Sequence, residues 1–195
     1  MNPREGRGEV WLVRHGETEW TITKKHTGRT DIPLTVEGEE QARVLAPVLA
    51  EHAFAAVFTS PRQRARRTAE LAGFEEAVRD DQLVELDYGD YEGRTTAEIR
   101  EERPDWLLWR DGCPGGESID DAGRRADRVL ERIASVEGDV LVFGHGHFSR
   151  VLGARSLGLP ASEGRLLMLD PASISVIGSE HGARAIRAWN WRAKI

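Results

Sequence analysis

An α/β fold, a three-layer sandwich with helices over both faces of a mainly parallel central sheet, is predicted by three observations. Short apolar runs of the kind that a strand buried on both faces requires alternate with stretches of helical periodicity. The runs at 10–13, 55–59 and 140–143 each lead into a polar turn: Arg14-His15-Gly16, Ser60-Pro61-Arg62 and Gly144-His145-Gly146. The 195 residues carry no internal repeat, low-complexity tract or linker, and that length suits one substantial core, so 1–195 is read as a single domain.

In chain order, the first strand is Val10, Trp11, Leu12 and Val13, with Gly16 allowing a sharp turn beyond it. A loop at 28–33 follows. Thr35 then caps a helix reaching Glu51, whose apolar face holds Ala42, Leu45, Val48 and Leu49, and Pro47 is expected to kink it or end it early. After the second strand, Ser60 as cap and Pro61 as first helical residue start a helix that Gly73 stops. A strand is expected over 82–86, then a turn at 87–93 and a helix from Thr95 or Thr96 to just before Pro104. A further helical turn at 106–109 precedes the loop at 111–116. Ser118 with Asp121 resembles a capping box and opens an amphipathic helix to Val136. The strand at 140–143 leads to a helix from His147 to Leu157, and apolar segments at 166–169, 174–177 and 185–189 follow. The last two, joined by Ser179-Glu180-His181-Gly182, either extend the parallel sheet or pair as an antiparallel hairpin at its edge.

Composition narrows the function. A hydrophobic fraction of 39% and a charged fraction of 31% suit a soluble globular protein, and no apolar run approaches the roughly 20 residues that span a bilayer. The polar start MNPREGRGEV lacks the apolar core of a secretory signal, and Cys113, the single cysteine, has no partner for an internal disulfide, so a reducing cytoplasm is expected. A net charge of −6 argues against general nucleic-acid binding, which needs an extended cationic surface. Local charge differs: Arg62, Arg64, Arg66 and Arg67 crowd one segment, and for all but Arg62 a solvated helix face is the expectation.

In open α/β sheets ligands bind outside the carboxyl ends of the strands, which puts Arg14 and His15 at the mouth of a site unless the pair is simply a solvated turn. Arg62, near a helix start, can join free backbone donors and the positive helix end around one anion. These are features of phosphate handling. Lengthened to LVRHGETEW, the first motif resembles the signature of the histidine phosphatase superfamily, which includes cofactor-dependent phosphoglycerate mutases and many phosphatases. The resemblance continues through Ser60-Pro61-Arg62 and Gly144-His145 to Ala172-Ser173-Ile174-Ser175.

Phosphoryl transfer needs a nucleophile, cations for the equatorial oxygens and an acid for the leaving oxygen. The resemblance implies His15 as nucleophile through a phosphohistidine, Arg14 and Arg62 as phosphate ligands, and His145 as the group that stabilises the transferring phosphoryl. It implies Glu85, in Leu83-Val84-Glu85-Leu86-Asp87-Tyr88-Gly89, as proton donor, with Asp87 the nearest rival and a surface ion pair the bland alternative. Thr27 and Gly28 add hydroxyl or backbone donors to the cradle. Thr21 stands where the mutase branch commonly has Asn, which weakens its reading as a phosphate ligand. The His145-x-His147 pair lacks a Cys or acidic cluster to complete a metal site, and the family chemistry needs neither metal nor cofactor. Tyr88, Tyr91, Trp106 and Trp109 either line a pocket or pack the core.

Mutases usually carry extra sequence between the acid-bearing segment and the final histidine, and here the interval from Glu85 to His145 is short, which favours water as acceptor. The stretches at 87–93 and 109–118 resemble the branch of broad-specificity acid phosphatases and sugar-bisphosphate phosphatases. The expected function is therefore a phosphatase acting on small phosphorylated metabolites. A phosphoglycerate mutase and a noncatalytic phospholigand-binding module are the alternatives, and oligomeric state is not legible.

Overall fold

The computed structural model describes residues 8–193; the polar stretch at 1–7, read above as lacking a leader, lies outside the described residues. Among the described residues six strands form one sheet: β1 (Val10–Arg14), β2 (Ala56–Thr59), β3 (Val78–Arg79), β4 (Val140–Gly144), β5 (Ser173–Glu180) and β6 (Ala183–Arg192), in the order β3-β2-β4-β1-β5-β6. The pairs β3-β2, β2-β4 and β4-β1 are parallel, whereas β5 runs antiparallel to β1 and β6 to β5. The helices are α1 (Glu19–Ile22), α2 (Val36–Leu49), α3 (Gln63–Leu71), α4 (Thr96–Glu102), α5 (Leu108–Asp111), α6 (Ile119–Ala134) and α7 (Gly146–Ser156).

Because side chains alternate along a strand, the sheet divides the core in two. Trp11, Val13, Leu141 and Phe143 face Leu45 and Leu49 of α2 and Ala69 of α3. Val10, Leu12, Val140 and Val142 face Ala126 and Val129 of α6 and Val151 and Leu152 of α7. These are the three layers expected. The edge hairpin is also present: β5 and β6 turn through only His181 and Gly182, whose φ values of 48° and 79° suit the tight turn that matches strand twist.

Four local expectations are corrected. The segment at 82–86 is not a strand: residues 81–83 form a 3₁₀ turn, and the carbonyls of Gln82 and Val84 accept from Arg125 Nη1 at 2.8 and 2.7 Å instead of from a sheet neighbour. The sheet edge is taken by the two-residue β3. Pro47 does not end α2 early, since the helix continues to Leu49; lacking an N–H, Pro47 costs α2 the single bond to the Arg43 carbonyl, and the rest of the helix forms without it. Ser60 does not cap α3, which begins at Gln63 with Arg62 at the N-cap, and the Gln63 amide is held at 2.8 Å by Asp31 from a distant loop. Residues 161–166 form a 3₁₀ segment and 167–170 an irregular one, so the expected apolar segment at 166–169 is not regular structure. No helix among the described residues is long and apolar enough to cross a membrane.

Candidate active site

The chain leaves β1, moves out to β2 and returns to insert β4 between them, so the carboxyl ends of three parallel strands meet at one edge. Arg14 lies in register with Gly144, and the next amide, of His15, donates to the Gly144 carbonyl at 3.0 Å. The Ser60 amide donates to Phe143 O at 3.0 Å from the other side. The two histidines following β1 and β4 therefore sit side by side, with ring centroids 5.3 Å apart at 67°.

His15 is 4% exposed, and its Nδ1 lies 2.7 Å from the Gly16 carbonyl. A carbonyl only accepts, so Nδ1 carries the proton, and in the neutral ring Nε2 keeps its lone pair. Burial first, then the charges of Arg64 and Arg14, push its pKa well below 6.5, which keeps the ring neutral. The loop is held by close backbone packing: a Cβ on Gly16 would lie 2.3 Å from Gly38 O, and the Gly16 amide donates to Thr68 Oγ1 at 3.1 Å. His145 is wholly buried, its Nε2 2.7 Å from Ser60 Oγ, and burial together with Arg64, His15 and the other arginines drives its pKa down as well.

Three guanidinium groups converge here. Arg14 Nη1 donates to Leu169 O at 2.5 Å. Arg64 is fully buried and donates to the carbonyls of Thr30 (3.0 Å), Thr27 (3.0 Å) and Gly28 (3.3 Å). The buried Nε–H groups of Arg14, Arg62 and Arg64 have no hydrogen-bond partner within the protein, which leaves donors without an acceptor, and Nδ1 of His145 is also without a partner. Reading Arg64 as part of a solvated face is thus corrected. It shares the α3 face of the buried Ala65, Thr68 and Ala69, and that run of small residues was the signal available in the sequence. Arg67, by contrast, is exposed and pairs with Glu39.

Glu85 is buried at the amino end of α7, where Oε2 accepts from the His147 amide (2.9 Å) and Oε1 from the Phe148 and Leu86 amides (2.7 and 3.0 Å). Asp87, its rival, pairs with Arg29 at the surface and accepts from the Gly89 amide. The Gly28 amide is taken by the Glu92 carboxylate at 2.9 and 3.0 Å, and a Cβ on Gly28 would meet Leu86 O at 2.3 Å. Its amide is therefore occupied, and the glycine serves a close backbone approach beside Glu85. Thr27 lines the cavity with its hydroxyl bonded to Lys25 O. Thr21 uses its hydroxyl in a capping box with Thr18 at the start of α1.

Of these groups Arg14, His15, Thr21, Thr27 and Glu85 line a cavity of about 390 Å³, together with Tyr88, His147, Arg150, Lys24, Lys25 and His26 among others; Arg62, Arg64 and His145 are not among its lining residues. Tyr88 both packs the core and faces the cavity, with its Oη 2.6 Å from His147 Nδ1. Burial holds the Tyr88 phenol well above 10 and the His147 ring well below 6.5, so the phenol donates and Nδ1 accepts. Tyr91 and Trp106 are core residues. Among the described residues no cluster of three or more His, Cys, Asp or Glu is placed to hold a metal. Ser60, Arg64 and Thr68 are the site neighbours that sequence reading missed.

Residues 10–192 match the family model of the histidine phosphatase superfamily (branch 1). The chain belongs to that superfamily. It is 44% identical over 181 residues to an acid phosphatase of Mycobacterium tuberculosis, covering 90% of this chain and 88% of the relative. It is 40% identical to sedoheptulose 1,7-bisphosphatase of Saccharomyces cerevisiae, covering 76% of this chain and 67% of that one. The solved structure of an open reading frame product of Mycobacterium tuberculosis superposes with a TM-score of 0.90 at 41% identity, covering 96% of this histidine phosphatase and 99% of its counterpart.

Proposed function

We propose that this single-domain histidine phosphatase hydrolyses small phosphorylated metabolites in the cytoplasm through a phosphohistidine on His15. The observation that carries the mechanism is the Nδ1–H bond to Gly16 O, which aims an unprotonated Nε2 from a ring kept neutral by burial. In the first step Nε2 attacks phosphorus, the P–N bond forms and the P–O ester bond breaks, while the Glu85 carboxyl delivers a proton to the leaving oxygen. Arg14, Arg62 and Arg64 carry fixed positive charge beside the equatorial oxygens, and His145, braced by Ser60, stabilises the phosphoryl as charge redistributes. Water then attacks phosphorus, Glu85 accepts its proton, the P–N bond breaks and phosphate leaves. Thr27 contributes from the cavity wall, and Gly28 keeps the wall close to Glu85. Family membership and phosphatase relatives support hydrolysis as the reaction.

The test is phosphorus NMR of wild type and His15→Ala with p-nitrophenyl phosphate, 3-phosphoglycerate and fructose bisphosphate, plus a trace of 2,3-bisphosphoglycerate. Phosphate release absent from the variant is expected. Formation of 2-phosphoglycerate without comparable phosphate release would replace hydrolysis by mutase chemistry, and no His15-dependent change would leave a binding module.

A further inference from the structure

Among the described residues the acid-bearing segment at 82–86 belongs to no strand, so no ladder of sheet hydrogen bonds holds Glu85 in place. Its carboxylate is aimed by the amides at the start of α7, with Phe148 N at 2.7 Å and His147 N at 2.9 Å. Its backbone is held by a different helix. Arg125 of α6, only 7% exposed, donates from Nη1 to Gln82 O (2.8 Å) and to Val84 O (2.7 Å), the carbonyl immediately before the acid.

The same guanidinium also reaches the other partner of the carboxylate. Its Cζ stands 3.7 Å from the centre of the buried Phe148 ring, and Phe148 supplies the amide bound to Glu85 Oε1. One cation therefore touches both sides of the hydrogen bond that directs the acid. Glu117 completes the clamp: its Oε1 and Oε2 accept from Arg125 Nε and Nη2 at 2.9 and 2.6 Å, and its own amide donates to Asp87 O at 2.9 Å. The chain before and after Glu85 is thus tied to a single ion pair. Burying such a pair costs desolvation that its attraction only about repays, so what it supplies is fixed geometry more than stability.

Neither Arg125 nor Glu117 is among the lining residues of the cavity, so any action on the reaction passes through Glu85. Resting on the reading of Glu85 as proton donor, we propose that Arg125, braced by Glu117, is a positioning residue for the acid. It fixes the Glu85 carboxyl against α7, so that proton delivery to the leaving oxygen, and not phosphate binding, depends on it.

The test is kcat/KM for p-nitrophenyl, phenyl and benzyl phosphate, esters of similar shape whose leaving oxygens need a proton increasingly in that order, in wild type, Arg125→Lys, Glu117→Gln and Glu85→Gln. This quantity covers the steps up to phosphohistidine formation, so it reads the proton delivered to the leaving oxygen and not the later attack of water. Lysine keeps the charge but not the planar fork that holds Glu117 and two carbonyls together. Arg125→Lys should lose about tenfold more on benzyl than on p-nitrophenyl phosphate, a part of the roughly 10²–10⁴-fold that a well-placed general acid contributes. Glu117→Gln, the milder change, should discriminate in the same sense by about threefold, and Glu85→Gln sets the full size of the effect. A merely structural role would lower all the esters alike, whatever thermal melting shows. If Glu85→Gln discriminates while the other two variants lower the esters equally, leave them unchanged or both fail to fold, the positioning role is overturned and the acid assignment stands. If Glu85→Gln does not discriminate, or wild type turns over none of the esters, the proton-donor reading falls and the positioning role with it.

Discussion

Replacing Arg64 with Met tests whether a buried cation with no surface role sustains both the loop at 27–30 and the protonation state of the nucleophile. Arg64 donates to three carbonyls, at 3.0, 3.0 and 3.3 Å, from a fully buried position. Hydrogen bonds to a charged group contribute about 1.5–3 kcal/mol each, and the two short ones dominate; relief of the guanidinium's desolvation offsets part of that sum. The net expectation is a loss of about 2–4 kcal/mol, equivalent to a melting-temperature drop of about 4–16 °C for a domain of this size. The same substitution removes the largest charge that lowers the His15 pKa, second only to burial as a cause. Attack requires the neutral ring, so a lowered pKa lets activity persist to lower pH, and in the variant the acid limb of the kcat/KM profile should move to higher pH. Thermal melting and a pH–rate series from 4 to 8 on p-nitrophenyl phosphate read the two effects separately. A variant with wild-type melting and an unmoved acid limb would refute the reasoning.

Three further outcomes are expected. Gly16→Ala forces a Cβ to within 2.3 Å of Gly38 O, so the backbone bearing His15 must shift; a destabilisation of about 1–3 kcal/mol and a kcat loss on the order of 100-fold should appear together, and an unaltered kcat would show that the close approach is dispensable. Ser60→Ala deprives His145 Nε2 of its partner and should lower kcat with little change in KM, while melting reports about 1–3 kcal/mol for the unsatisfied buried group. His26, buried beside Tyr88 with its pKa pushed down to about 4, is neutral when folded yet protonates in the unfolded chain below about 6.5. The unfolded state then binds more protons, so stability falls as pH drops, by about 1.4 kcal/mol per unit from this residue between 6.5 and about 4. Denaturant titrations of His26→Phe across that window should show a shallower pH slope than wild type, and an equal slope would remove His26 as a cause.

The motifs around His15, Arg62 and His145, the strands that carry them, and the cap residues Thr35 and Ser118 were legible in the amino-acid order because each depends on neighbours a few residues away. Apolar alternation and capping chemistry are local properties, and they determined the α/β class and the composition of the site. What the order of residues could not display is adjacency across the sheet. The insertion of β4 between β1 and β2 sets His145 beside His15, brings Ser60 Oγ against His145 as well as the Arg62 amide at the start of α3, and buries Arg64 beneath the loop it braces. The expected strand at 82–86 failed for the same reason, since Arg125 from a distant helix satisfies its carbonyls more directly than a sheet neighbour. Tertiary structure decided these points because a buried polar group must find a partner, and which partner is near enough is settled by topology, not by position along the chain.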